Sequence, residues 1–120
     1  MSLDYKLFWL IVLLLSFSLI GSGQDGRLVD SLLKIYHEDK LEGTEKLELL
    51  RNLSFNESND HNLSLKYAEE LIALSKQENN YKYLYRGYLQ KGNTFRQSGD
   101  FKLALDNFFK SVEAANQVEF

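Results

Sequence analysis

The chain has 120 residues, a formal net charge of −3, 44% hydrophobic and 26% charged residues, which leaves room for one small globular domain and argues against wholesale disorder. Basic residues are scattered without a face of their own, so no nucleic-acid footprint is expected. The absence of cysteine excludes disulfides, thiolate metal sites, a cysteine nucleophile and a lipid-modified cysteine, and the absence of proline leaves helices without sharp kinks.

The first element is a targeting segment. MSLDYK carries Lys6, the apolar run LFWLIVLLLSFSLI covers 7–20, and small residues follow at Gly21, Ser22 and Gly23. The apolar run is shorter than the roughly 20 residues that span a bilayer. Its layout is that of an export signal, with Gly21 and Gly23 supplying the small side chains for a cut before Gln24. Asp4 weakens the positive n-region, so an uncleaved anchor stays open. Residues 1–23 are thus expected to be a signal peptide or anchor, and the folded part lies in 24–120.

In the leader 24–43, DSLLKIYHEDK offers Asp30 and Ser31 as N-cap residues and sets Leu32, Leu33, Ile35 and Tyr36 at roughly helical spacing, which predicts a short capping helix. Gly43-Thr44 punctuates. EKLELLRNLSF then places Leu47, Leu50 and Leu53 on one stripe, and NESNDHN (56–62) is polar enough for a turn. LSLKYAEELIALSKQ carries Leu65, Ala68, Leu71, Ile72 and Ser75 on one amphipathic face, and ENN (78–80) ends it. In 81–97 the tyrosines at 81, 83 and 85 alternate as in a strand. Tyr85, Tyr88, Leu89, Gly92 and Phe95 fall at helical spacing, so a helix is predicted. After Ser98-Gly99-Asp100 a last helix starts at Phe101, with Leu105, Phe108, Phe109 and Val112 as its stripe. The fold class is all-α: antiparallel helical hairpins over 44–80 and 81–120.

Gly92 and Gly99 bracket a polar stretch, but they do not make a phosphate loop. That loop needs a Lys after its second glycine and a strand before the first; here Asp100 follows and no strand precedes. A mid-helix Gly is disfavoured by about 1 kcal/mol relative to Ala, so Gly92 implies close approach of a second helix. Gly99 ends the helix and Asp100 caps the next, with Phe95 and Phe101 as flanking apolar contacts.

Residues for chemistry are sparse. His37 and His61 lie in separate polar stretches without spaced partners, and Glu69-Glu70 and Asp39/Glu42 read as solvated faces rather than an acid–base pair. No G-x-S-x-G elbow occurs. Glycosylation sequons start at Asn52, Asn56 and Asn62, a pattern frequent by chance. No catalytic residue, metal ligand or cofactor is expected.

Tyr88, Lys91-Gly92, Phe95, Ala104 and Phe108 keep the spacing of the tetratricopeptide repeat, and residues 85–118 resemble that family. Lys91 stands where the family prefers Leu, and Ser111 and Asn116 replace its small Ala and closing Pro. A degenerate copy 40 residues upstream keeps Phe55, Ser64, Tyr67-Ala68 and Leu71, with Asn52 in the place of the Gly. The structural signature residues are thus Tyr88, Gly92, Phe95, Gly99, Ala104 and Phe108. The resemblance implies stacked hairpins whose first helices line a concave peptide groove, here Arg86, Leu89, Asn93, Arg96 and Gln97. Asn93 falls where some family members hold a peptide backbone or terminal carboxylate. Leu89 replaces the lysine of the chaperone-binding versions.

The expected function is a non-catalytic, exported scaffold for protein–protein contacts, binding a protein partner or further repeats of the same chain. No polar cap follows the last stripe, so the chain is expected to be the N-terminal part of a longer protein, or to dock a partner there. The whole resembles the exported repeat region of bacterial membrane signalling proteins, with a histidine kinase, nucleotide cyclase or regulator as output and an extracytoplasmic or periplasmic location. Two other readings stand beside it: a small exported ligand-binding protein or enzyme using the Tyr-rich segment 81–88, and a membrane-anchored assembly factor.

Overall fold

The computed structural model describes residues 26–57 and 59–118, and the expected signal segment with its cleavage site at Gly21 and Gly23 lies outside them. The described residues are helical and contain no strand. The first helix, α1, covers 26–38. It is followed by α2 (Gly43–Asn56), α3 (His61–Gln77), α4 (Tyr81–Gln97) and α5 (Phe101–Ala115).

Two features of α1 and α4 differ from the periodicity reading. Asp30 and Ser31 do not cap α1 but sit inside it. The Ser31 hydroxyl donates to the Arg27 carbonyl at 2.9 Å, the back-bond a helical Ser makes when it has no cap to form. In α4 the alternating tyrosines begin a helix, because Asn80 caps it through its side chain to the Tyr83 amide. Period 3.6 then sends them apart: Tyr83 is buried, whereas Tyr81 is exposed.

α2 and α3 pack as one antiparallel hairpin and α4 and α5 as the next, with α4 also resting on α3 and touching α2. Each junction is built by short-range chemistry. Asp60 accepts from the Asn62 and Leu63 amides to start α3, and Asp100 accepts from the Leu103 amide to start α5. The turns leaving α3 and α4 are copies of one another. Asn79 (φ 53) and Gly99 (φ 86) adopt the left-handed conformation, and the next amides reach back five residues, Asn80 to Ser75 at 2.8 Å and Asp100 to Phe95 at 2.9 Å.

Among the described residues the core falls into three clusters. Leu47, Leu50, Leu71 and Tyr83 join α2, α3 and α4. Leu49, Leu53 and Tyr67 receive Leu32, Leu33 and Tyr36 from α1. Ile72, Leu84 and Ala114 tie α3, α4 and α5 together. Complete burial of a leucine contributes about 1.5–3 kcal/mol, so Leu47, Leu50, Leu53 and Leu71 form the main apolar anchor.

Glycines set the closest crossings. A Cβ on Gly92 would fall 2.6 Å from the Phe108 ring and 3.2 Å from the Ala104 carbonyl oxygen, so α4 and α5 meet at the expected residues. Gly87 does the same toward α3, where a Cβ would stand 2.7 Å from Ile72 Cγ1. Buried hydroxyls fill the remaining seam. Ser64 Oγ donates to the Ser54 carbonyl at 2.9 Å and lies 3.1 Å from Thr94 Oγ1, which is itself 3.0 Å from the Gln90 carbonyl. Ser111 Oγ donates to the Tyr85 carbonyl at 2.8 Å.

The last helix corrects the expected stripe. α5 buries Ala104, Asn107, Ser111 and Ala114, whereas Leu105, Phe109 and Val112 are exposed and Phe108 is half-buried against Gly92. Phe101 is exposed as well and does not flank the turn with an apolar contact. The close crossing at Gly92 explains the choice, since small residues admit α4 where large ones would hold it off.

Candidate functional site

α2 and α4 border a cleft of about 240 Å³, lined by Arg51, Ser54 and Phe55 from α2 and by Tyr85, Arg86, Leu89, Gln90 and Asn93 from α4. The α2 residues sit at i, i+3 and i+4, the spacing that brings side chains onto one helical face. The α4 residues recur over two turns in the same way. Of the groove residues expected from sequence, Arg86, Leu89 and Asn93 come together here. Arg96 and Gln97 lie on the exposed last turn of α4 and do not line the cleft.

Its electrostatics follow from a short chain of contacts. Glu48 accepts from the Arg51 guanidinium at 2.8 Å and from the Tyr83 hydroxyl at 2.7 Å. The Tyr83 hydrogen bond, with Arg51 and Arg86 adding to it against the opposing effect of burial, holds the Glu48 carboxyl below its ordinary range. Arg51 is thereby neutralised. Arg86 makes no ion pair among the described residues; its guanidinium lies 5.6 Å from the Tyr83 ring centre and 5.8 Å from that of Tyr85, a double cation–π placement. The cleft therefore combines a positive charge held in place by aromatic rings, the amide of Asn93, and two apolar side chains open to solvent, Phe55 (71% exposed) and Leu89 (43%). Such a surface can hold a short peptide by its apolar side chains while pairing a carboxylate.

Arg51, Ser54 and Phe55 were not among the groove residues named from sequence. Their signal is visible: they lie off the Leu47–Leu50–Leu53 stripe of α2, on a side that only the neighbouring hairpin can turn into a cleft wall.

Two wider depressions also open among the described residues. The larger, about 500 Å³, is lined by Tyr36, His37, Asp39, Lys46, Leu50, Glu70, Ala73, Leu74 and Gln77. In it the Tyr36 hydroxyl donates to the Glu70 carboxylate, 2.8 and 2.9 Å from its two oxygens, and Lys46 pairs with Asp39 at 3.2 Å. Burial first, and the Glu70 hydrogen bond second, push the Tyr36 hydroxyl up to about 12. The other, about 460 Å³, holds Tyr81, Leu84 and Tyr88 beside Lys110, Glu113, Ala114 and Gln117. The tyrosines of 81–88 are thus divided between two clefts and the core instead of forming one wall. Among the described residues no three acidic or histidine side chains cluster as a metal site, and no helix is long and apolar enough to cross a membrane.

No family model, curated protein or solved structure matches the chain.

Proposed function

We propose that the chain is a non-catalytic protein-interaction module of the tetratricopeptide type that binds a peptide segment in the cleft between α2 and α4. The observation that carries the reading is the cleft itself: Arg86, which makes no ion pair among the described residues, lines it together with Asn93 and the exposed Phe55 and Leu89. Gly92 packed against Ala104 and Phe108 supports the repeat type, because a small residue at that contact is what the resemblance implies. The apolar run 7–20 followed by Gly21 and Gly23 supports export, which puts the module on the extracytoplasmic side of a bacterial membrane.

The ligand class follows from the lining. A segment with an acidic group next to an apolar side chain satisfies Arg86 and Asn93 while covering Leu89 or Phe55. Fluorescence anisotropy on an array of labelled acidic–apolar peptides tests this. Arg86→Ala with Asn93→Ala is expected to weaken capture about tenfold, the loss of one charge-assisted hydrogen bond, with helix content unchanged. Equal binding by the double variant dismisses the groove.

A further inference from the structure

We propose that the outer face of α5 is a homodimerisation surface, on which a second copy packs its own α5 antiparallel about a two-fold axis. Phe101, Leu105, Phe109 and Val112 are 69, 55, 60 and 58% exposed. They recur every three or four residues, so they form one continuous apolar stripe beside the buried Ala104–Asn107–Ser111–Ala114 face. A contiguous exposed stripe of this size marks an interaction surface, unlike single apolar residues scattered over a protein.

The charges on α5 select the occupant. α5 has no acidic residue in its first turn and no basic residue in its last. Instead Lys102 stands near the positive end of the helix dipole and Glu113 near the negative end, each opposite in sign to what the dipole favours. Both are exposed, and neither makes an ion pair among the described residues. An antiparallel second copy reverses both mismatches. Lys102 then lies at the C-terminal end of the second α5, and Glu113 at its N-terminal end.

The register agrees with the apolar stripe. With the axis at the level of Asn107, Leu105 faces Phe109 of the second copy. Lys102 and Glu113 of the second copy then differ by a single residue of rise, about 1.5 Å, and the symmetry makes that pair twice. Parallel packing would set Lys102 against Lys102 and Glu113 against Glu113. Asp106 and Lys110 are already paired within their own helix at 3.2 Å and do not compete. A contact confined to one helix pair buries less than the ~1,200 Å² of a tight complex, so the dimer is expected to depend on concentration. No residue of α5 lines the α2/α4 cleft, and the inference does not rest on the peptide reading.

Light scattering of the full chain over a wide range of concentration tests the dimer. The mass is expected to rise from monomer to dimer, and Phe109→Lys is expected to raise the dissociation constant at least about tenfold. Glu113→Lys should raise it about fivefold by turning two attractive pairs repulsive, and Lys102→Glu combined with Glu113→Lys should restore it. Circular dichroism accompanies each variant; the substituted side chains are exposed, so helix content should hold. A monomer at every concentration overturns the proposal, including the case in which another hairpin covers α5 as α4 covers α3. Association indifferent to Phe109→Lys overturns it too, since the apolar run 7–20 would then be driving assembly. If the double charge exchange fails to restore the dimer, the antiparallel register is wrong.

Discussion

At the scale of single residues, the two buried glycines of α4 separate what a Cβ costs from what it meets. At Gly92 the added carbon would strike the Phe108 ring and approach the Ala104 backbone oxygen, which cannot move without shifting α5. At Gly87 the nearest atom is Ile72 Cγ1 at 2.7 Å, on a buried β-branched side chain held in one helical rotamer, with the Ile72 backbone nitrogen farther off at 3.5 Å. Alanine gains about 1 kcal/mol of helix propensity at either position, and overpacking costs about 1–3 kcal/mol where the neighbour is fixed. Gly92→Ala and Gly87→Ala are therefore each expected to destabilise by up to about 2 kcal/mol in urea titration, Gly92→Ala by more because a backbone oxygen stands closer to the added carbon there. Equal losses at both would mean that the α4–α5 crossing is no tighter than the α3–α4 crossing. Gly92 was legible in the sequence because Ala104 and Phe108 stand at fixed offsets from it. Gly87 was not, because a small residue in a helix does not reveal which neighbour approaches it. The buried Ser64–Thr94 contact was hidden for the same reason: each hydroxyl reads as surface until the two hairpins stack.

At the scale of elements, the boundaries were the most legible part of the chain. Asp100 and Gly99 announce the α4–α5 turn by residue type, and the polar runs 56–62 and 78–80 mark the others. What the sequence concealed is that the α3–α4 turn repeats the α4–α5 turn with Asn79 in the left-handed position that Gly99 fills. Glycine adopts that conformation freely, and asparagine does so at some strain. Asn79→Gly is expected to stabilise the protein by about 0.5–1 kcal/mol, and Gly99→Ala to destabilise it by about 1 kcal/mol. Paired thermal melts check both; a loss of stability in Asn79→Gly would show that the Asn79 side chain contributes more than its backbone strain removes. The lining of the α2/α4 cleft was half legible. The α4 half follows from one helix's periodicity, whereas the α2 half exists only because α4 lies beside α2. Arg96 and Gln97 lie outside this cleft because the last turn of α4 extends past its wall.

At the scale of the whole molecule, three hydroxyls and one carboxyl among the described residues tie the stability of the fold to pH. Tyr36, Tyr67 and Tyr83 are each pushed above their ordinary value, burial being the first cause in every case. Tyr36 and Tyr83 add hydrogen bonds to Glu70 and Glu48. A tyrosine that holds its proton more tightly when folded stabilises the fold below its unfolded value near 10. That contribution is lost as pH rises through the folded value, about 12 for Tyr36. Glu48 acts in the opposite sense: its carboxyl is held below the ordinary 4.5, so its contribution is present above that pH and is lost as pH falls through the folded value. Stability should therefore be flat from weakly acidic pH to about 10 and fall steeply between about 10 and 12. Tyr36→Phe is expected to lower the urea midpoint modestly at neutral pH, because Glu70 loses a donor, and to make the alkaline fall shallower, because the most strongly shifted proton is gone. Urea titrations at pH 7, 9.5 and 11 on both proteins measure this directly. Parallel curves for the parent and Tyr36→Phe would remove the Tyr36–Glu70 contact from the account of how α1 is held to α3. A shallower curve assigns to that contact the docking of α1 onto the first hairpin.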